Sequence, residues 1–262
     1  MARKARIIVV ATKKGGVGKT SLTCNVSAGL SAKGFKVSAI DMDSQGHLAR
    51  SFGVNKLKLK NTIFDVLLGE IELKDIKVNA HGVDLYLANN DLSEFESTVN
   101  TPENREFFPN THILLKEVIN QIRDKYDYII IDTAPSTTLD TLNALVSATD
   151  VIIPVHPEGL SVDGALDMLS FIKKVQKKDN PSLNLMGILP TMVQPTILHG
   201  ETLRDLKILC MDMNIKVFDT QIRRTIRHGV AQTNGSPVVL DQESKNSAGA
   251  DYMDFLKEAF EL

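Results

Sequence analysis

The sequence has little of several residue types that would indicate a special class of protein. It contains no tryptophan, only two cysteines (Cys24 and Cys210) and 5% aromatic residues. The cysteines lie far apart with no CxxC spacing, so we expect neither a disulfide framework nor a structural zinc site, and we expect a reducing compartment. No apolar run reaches the roughly 18 residues of a membrane span, and no signal peptide opens the chain. The sequence therefore predicts a cytoplasmic globular protein.

Charge of one sign is also lacking, because the formal net charge is −2. Contact with nucleic acid would therefore have to come from a local basic patch. The proportions of hydrophobic residues (43%) and charged residues (24%) are ordinary for a globular chain. At 262 residues the chain is short enough for one α/β domain, and we predict a single domain over residues 1–262.

Strand-like and helix-like patterns alternate along the chain. Short strand-like runs at 7–11, 37–41, 128–131, 151–155 and 185–189 are separated by helical patterns. This alternation predicts an α/β fold, namely a doubly wound, mostly parallel sheet flanked by helices on both faces in three layers. The patterns also predict one continuous helix over 110–125, a helix over 201–213 and a short strand at 217–218. Ligands of such sheets bind at the carboxyl ends of the strands.

The richest local motif is KKGGVGKT at residues 13–20. An apolar strand leads into it and a helical pattern follows, which is the context of a phosphate-binding loop. Lys19 is expected at the β- and γ-phosphates, and the Thr20 hydroxyl at Mg²⁺. Backbone N–H groups would complete the cradle at the helix N-terminus. The predicted nucleotide-binding residues of this loop are Lys14, Gly15, Gly16, Val17, Gly18, Lys19, Thr20 and Ser21.

Carboxylates follow two of the predicted strands. Asp41 and Asp43 end the second strand, two residues apart, so both point the same way on an extended segment. Asp132 ends the apolar run YDYIIID, which is the Walker B arrangement. We predict that one acid of the first pair stands near Mg²⁺ while the other orients an attacking water. Asp132 is expected to hold Mg²⁺.

These motifs together resemble those of a known family. KKGGVGKT, DMDSQGH at 41–47 and YDYIIIDTAPS at 126–136 are similar to the deviant Walker A ATPases, and within them to the ParA/Soj group that segregates plasmids and chromosomes. Further similarity lies at 87–92, at 155–158 with Gly164 beyond, and at 222–227 followed by 235–238. The resemblance thus covers nearly the whole chain.

The resemblance implies roles for individual residues. Lys14 would cross a dimer interface to the nucleotide of the other subunit, so that an ATP-dependent sandwich dimer forms. Catalytic roles would fall to Lys14, Lys19 and Asp43, with Asp43 orienting the water. The Mg²⁺ shell would be shaped by Thr20, Asp41 and Asp132. The adenine-facing loop would be Pro190, Thr191 and Met192.

The resemblance also implies DNA binding by the ATP-bound dimer. Arg223, Arg224 and Arg227 form a basic segment suited to sequence-independent phosphate contacts. Some relatives carry a further arginine after the Thr-Met pair, where this chain has VQPT at 193–196. We therefore expect lysines to contribute, with Lys173, Lys174 and Lys207 as candidates.

The function implied is a DNA-partition ATPase that is nucleoid-associated when ATP-bound. It would bind ATP and Mg²⁺, dimerise, coat double-stranded DNA and be released when a site-bound ParB-like protein stimulates hydrolysis. The glycine loop starts so near Met1 that no N-terminal helix-turn-helix domain is expected.

Several alternatives remain. A MinD-type positioning ATPase needs a basic amphipathic tail, whereas residues 251–262 are amphipathic but acidic, so no membrane partner is expected. An iron–sulfur ATPase needs a cysteine after the Asp132 strand, and none lies between Cys24 and Cys210. An amide-forming enzyme on the same scaffold and a ParA-like ATPase that positions a protein cargo both stay open.

Overall fold

A computed structural model describes residues 4–241 and 248–262 of the chain. Seven strands form one sheet, in the spatial order β3-β4-β2-β5-β1-β6-β7. Every neighbouring pair is parallel except β3 with β4. The strands are β1 (Arg6–Val10), β2 (Val37–Met42), β3 (Val78–Ala80), β4 (Val83–Tyr86), β5 (Tyr128–Thr133), β6 (Asp150–Val155) and β7 (Asn184–Pro190).

Helices cover both faces of this sheet. They are α1 (Lys19–Ala32), α2 (His47–Ser51), α3 (Ile63–Leu67), α4 (Phe95–Val99), α5 (Leu114–Asn120), α6 (Leu139–Ser147), α7 (Gly159–Lys178), α8 (Ile197–Asp212), α9 (Arg227–Asn234) and α10 (Ala248–Phe260). Alternate residues of each strand point to opposite faces, so Ile7 and Val9 enter the core under α3 to α8. Ile8 and Val10 enter the core under α1, α2 and α10. The predicted three-layer α/β/α architecture is confirmed.

Two of the secondary-structure predictions were wrong. The pattern over 110–125 is not one helix, because it divides into a 3-10 turn at Thr111–Ile113 and the short α5, and the chain then continues as turns. Residues 217–218 make only a single bridge, from Val217 to Ile188 of the edge strand β7. One bridge is too little for a strand, although Phe218 is buried. The antiparallel strand β3 was not predicted, because its three residues are too few for a periodic pattern.

Two glycines cross where α9 ends. Gly235 has φ +63° and Gly53 has φ +75°. A Cβ on Gly235 would lie 2.2 Å from the Gly53 Cα, so no side chain fits at this crossing. The His81 ring donates from Nε2 to the Gly235 carbonyl at 3.0 Å. The crossing and this hydrogen bond therefore tie the end of α9 to the end of α2 and to the turn between β3 and β4.

Gly235→Ala is expected to lower the free energy of unfolding by more than about 2 kcal/mol, because the methyl group overlaps backbone that cannot move independently. Gly229→Ala is the matched control on the same helix, since its Cβ meets open space. That control should be neutral or slightly stabilising. Urea unfolding of both variants measures the difference, and equal stabilities would contradict the account.

Candidate functional site

The glycine loop joins β1 to α1 and is shaped by left-handed backbone. Gly16 (φ +73°) and Gly18 (φ +87°) adopt conformations that side chains disfavour. Lys19 opens α1 with only 7% of its surface exposed, and its ammonium donates to the Lys14 carbonyl at 3.3 Å. The main chain thus encloses a buried cation at a helix N-terminus, which is the arrangement that binds polyphosphate.

Asp41 and Asp132 lie side by side at the carboxyl ends of β2 and β5, where they are register partners. Both are fully buried. Asp41 accepts through Oδ1 from the Asp43 backbone at 3.0 Å, and Asp132 accepts through Oδ1 from the Thr23 hydroxyl at 3.3 Å. The Oδ2 atom of each has no hydrogen-bond partner within the described part of the chain.

Two buried carboxylate oxygens without partners are costly unless a cation meets them. Hard oxygen ligands suit Mg²⁺, which keeps several waters and takes few protein ligands. The predicted Mg²⁺ residues Asp41 and Asp132 therefore fit the ion, and Thr20 lies at the start of α1 beside them. Thr23 was missed by the sequence analysis, although it stands three residues after Thr20 and so on the same face of the helix.

Burial is the largest influence on the pKa values of Asp132, Asp41 and Lys19. It raises the pKa of Asp132 to about 7, while the Thr20 and Thr23 hydroxyls and the Lys19 charge oppose the shift. Burial beside Asp132 also raises the pKa of Asp41 well above its usual range. Burial lowers the pKa of Lys19, although the negative charges of Asp132 and Asp43 raise it in part. A cation that binds between these carboxylates would therefore displace protons from them.

The pH dependence of stability follows from these shifts. A carboxyl whose folded pKa is raised binds more protons in the folded state, so its stabilising contribution is full at low pH and is lost as pH rises through about 7. Without Mg²⁺ and nucleotide, the native protein should lose more stability between pH 5 and pH 8 than an Asp132→Asn variant, by about 1–4 kcal/mol. Urea unfolding at the two pH values, with EDTA present, measures this. Equal losses of stability between pH 5 and pH 8 in the two proteins would contradict this expectation.

Asp43 follows β2 and is 8% exposed. Its Oδ1 accepts from the Gln45 backbone at 3.0 Å, which fixes the side chain. It lies near enough to affect the charge of both Lys19 and Asp132. The carboxylate is therefore held beside the group that would bind phosphate and Mg²⁺, where its predicted role requires it.

A cavity of about 860 Å³ opens beside the glycine loop. Gly18, Ser21, Thr191 and Met192 line it from the loop side. The Thr191 hydroxyl donates to the Val17 carbonyl at 2.8 Å and so fixes the 190–192 segment to the glycine loop. Pro190 ends β7 and does not line the cavity. The volume of the cavity suits a nucleoside next to the predicted phosphate site.

The arginine segment forms the opposite wall of this cavity. Arg223 and Arg224 both line it. The Arg223 guanidinium is engaged by Asp251, with contacts of 2.6 and 2.7 Å, and Arg227 pairs with Asp241 at 3.3 Å. Arg224 makes no side-chain ion pair with any described residue. No local sequence pattern indicates the role of Asp251, because only the fold brings α10 to this segment.

The candidate lysines separate into two places. Lys207 lines a second cavity with Arg223 and Arg204, and it pairs with Asp219 at 3.0 Å. Lys173 and Lys174 lie in the C-terminal half of α7, which follows β6 and runs back toward the amino ends of the strands. The fold therefore brings Lys207 toward the arginine segment and leaves Lys173 and Lys174 away from it.

The two lysines before the glycines have different surroundings. Lys13 pairs with Asp167 of α7 at 2.8 Å. Gly164 of the same helix faces Lys14 so closely that a Cβ would lie 3.2 Å from the Lys14 Cβ. The Lys14 ammonium has no hydrogen-bond or ion-pair partner among the described residues. α7 thus supports the backbone of Lys14 while its charge stays available.

A second group of possible metal ligands lies nearby, consisting of His156, Glu158 and His199 within 4.8 Å of one another. His199 accepts through Nδ1 from the Gln194 backbone at 3.1 Å, so its Nε2 carries the proton and cannot ligate. Burial is the main cause that lowers the pKa of His156, and the nearby Arg224 charge lowers it further. This group therefore does not form a metal site in this conformation.

Comparison with known proteins gives consistent matches over most of the chain. A family model described as an AAA domain matches residues 5–185. The sporulation initiation inhibitor protein Soj of Bacillus subtilis is 32% identical over 97% of this chain and 97% of its own length.

Solved structures agree in fold over nearly the whole chain. Cobyrinic acid a,c-diamide synthase of Mycobacterium smegmatis, with bound ADP and magnesium, has a TM-score of 0.80 at 31% identity and covers 96% of this chain and 92% of its own. A plasmid partition protein from Borrelia burgdorferi has a TM-score of 0.71 at 25% identity, with 97% and 99% covered.

Proposed function

Because this chain belongs to the ParA/MinD family of P-loop ATPases, which bind ATP with Mg²⁺ and hydrolyse it, we propose that it is a DNA-partition ATPase. In this proposal Mg-ATP joins two copies into a sandwich dimer that binds double-stranded DNA without sequence preference. A site-bound ParB-like protein stimulates hydrolysis and so releases the dimer. Asp41, Asp132 and Thr20 hold Mg²⁺, while Lys19 and the loop N–H groups hold the phosphates.

The observation that carries the dimer is the contrast between the two adjacent lysines. Lys13 is already neutralised by Asp167, whereas Lys14 has no counter-charge among the described residues. A triphosphate in a dry interface brings several negative oxygens that a cation from each partner would offset. Lys14 is the cation available for this task. Loss of the γ-phosphate would remove the charge that it meets.

The DNA contact rests on Arg224 and its surroundings. Arg224 has no ion pair with any described residue, so its charge is available for a phosphate. Arg223 and Arg227 would first have to leave Asp251 and Asp241. We therefore assign the largest DNA contribution to Arg224, and smaller ones to Arg223 and Arg227.

Two variants separate dimerisation from DNA binding. Lys14→Ala should keep nucleotide binding by the monomer but lose both the ATP dimer and DNA retention. Arg224→Ala should keep the ATP dimer and weaken DNA binding, with a salt slope shallower by about one unit. Light scattering and a salt titration on duplex DNA, with ADP and with a slowly hydrolysed ATP analogue, measure both. A dimer that survives in Lys14→Ala, or equal DNA binding with either nucleotide, would refute the proposal.

No helix in the described part of the chain combines the length and the apolar composition of a bilayer span.

A membrane-positioning ATPase is less well supported by the surroundings of α10. The apolar face of α10 is occupied, because Tyr252, Phe255 and Leu256 are buried in the core and Leu256 contacts α1 at Gly29. That helix would have to leave the domain before its apolar face could enter a membrane surface.

An amide-forming ATPase is the second candidate, favoured by the 31% identity with the diamide synthase structure. Such an enzyme should hydrolyse ATP only with its carboxylic acid substrate, and duplex DNA should not change its turnover. A ParA-like ATPase with a protein cargo would share the nucleotide and DNA behaviour but would not respond to a centromere-bound protein. Turnover with and without DNA therefore distinguishes the enzyme from the two partition-like functions.

A further inference from the structure

Helix α8 presents an unusual outer surface. It follows the edge strand β7 and buries His199, Leu203, Leu206 and Cys210 against the domain. On the opposite side Ile197 is 83% exposed, Ile208 54% and Met211 78%. Large apolar side chains this exposed on one helix indicate a surface that another molecule covers.

The outer residues follow the spacing of a coiled-coil seam. Positions 197, 201, 204, 208 and 211 alternate steps of four and three residues, which places them in one line along the helix. Ile197 and Ile208 flank Glu201 and Arg204. Neither Glu201 nor Arg204 makes a side-chain hydrogen bond or ion pair with any described residue. This line of residues is called the α8 seam below.

The α8 seam is complementary to itself when two copies run antiparallel. A two-fold axis midway between positions 202 and 203 sets Ile197 opposite Ile208 of the second copy. The same axis sets Glu201 opposite Arg204 of the second copy, and each pair occurs twice. A parallel arrangement would instead set Glu201 against Glu201 and Arg204 against Arg204, which like charges disfavour.

We infer that α8 is a self-association surface, at which two copies of the chain pair antiparallel through the α8 seam. Apolar contacts close both ends of the pair, and two reciprocal ion pairs fix its direction and register. This contact needs no nucleotide and is independent of the proposed partition function. It lies outside the glycine loop and the carboxylate group.

The contact is small. The paired segment from position 197 to position 208 is about 17 Å long. A single helix pair of that length buries much less surface than the roughly 1,600 Å² of a standard interface. We therefore expect weak association, with a dissociation constant in the range of about 10–500 µM. A helix of an unrelated protein would not be expected to place an arginine opposite Glu201 and a glutamate opposite Arg204.

Charge exchange tests this register. Sedimentation without nucleotide should show a concentration-dependent dimer of the native chain. Arg204→Glu alone sets Glu201 opposite a second glutamate, and Glu201→Arg alone sets two arginines together. Each should raise the dissociation constant at least about tenfold. Both substitutions are on an exposed helix face, so the monomer fold should be retained, and circular dichroism checks this.

The decisive measurement is the mixture of the two single variants. In a mixed pair every charged contact is attractive again, so the mixture should associate within about threefold of the native chain although neither component does so alone. The double variant Glu201→Arg/Arg204→Glu should also associate. A native chain that stays monomeric to 500 µM, or a mixture as weak as its components, would overturn the inference.

Discussion

Lys19→Ala is expected to abolish ATP binding at concentrations where the native chain is saturated, with a loss of affinity of about a hundredfold or more. The Lys19 ammonium is buried inside the loop, and its charge acts on the nearby carboxylate of Asp132. Removing it leaves the phosphate cradle with backbone dipoles alone. Calorimetric titration with Mg-ATP, and turnover under the same conditions, measure the loss.

Lys13→Ala is the matched control for this experiment. Lys13 belongs to the same loop, but it is half exposed and paired with Asp167. Exposed ion pairs contribute about 0–1 kcal/mol, so nucleotide affinity should change by less than about fivefold. Equal losses in the two variants would show that damage to the loop, and not the buried charge, is responsible. Thermal unfolding of both separates binding from stability.

Asp43→Ala is expected to retain Mg-ATP binding while turnover falls by about a hundredfold or more. The carboxylate is fixed by Gln45 and lies beside the predicted phosphate and Mg²⁺ group. Without it no described acid in the same position would orient the attacking water. The variant should therefore accumulate in its ATP-bound form. Single-turnover hydrolysis and retention of labelled ATP measure the two effects.

Asp43→Asn is the control that keeps the local fold. The amide oxygen can still accept from the Gln45 backbone, but the negative charge is lost. Both Asp43 variants should therefore be equally slow if the charge acts on the water. Recovery of turnover in Asp43→Asn to within about tenfold of the native rate would instead assign Asp43 a structural role.

The chemistry-bearing residues were largely predictable because they sit at strand ends. The glycine loop, Asp41, Asp43 and Asp132 each lie at or just after the end of a buried strand, and a parallel sheet brings such ends together. Local pattern and fold agree at these positions.

Contacts between distant segments could not be read in the same way. The pairing of Arg223 with Asp251 depends on where α10 packs, and no local pattern reports that. The close approach of Gly164 to Lys14 likewise depends on how α7 returns to the loop. The segment 217–218 has strand-like residues, but it lies outside β7 and finds only one bridge. In each case the contact depends on how distant segments pack together in the fold.

The register of β2 against β5 limits how this site can change over evolution. Asp41 faces Asp132 because the two strands are aligned residue for residue along the ladder. One residue inserted into or deleted from either strand would turn its carboxylate toward the other layer of helices. Homologous chains can therefore exchange one apolar residue for another within these strands, but length changes should be confined to the loops that join them.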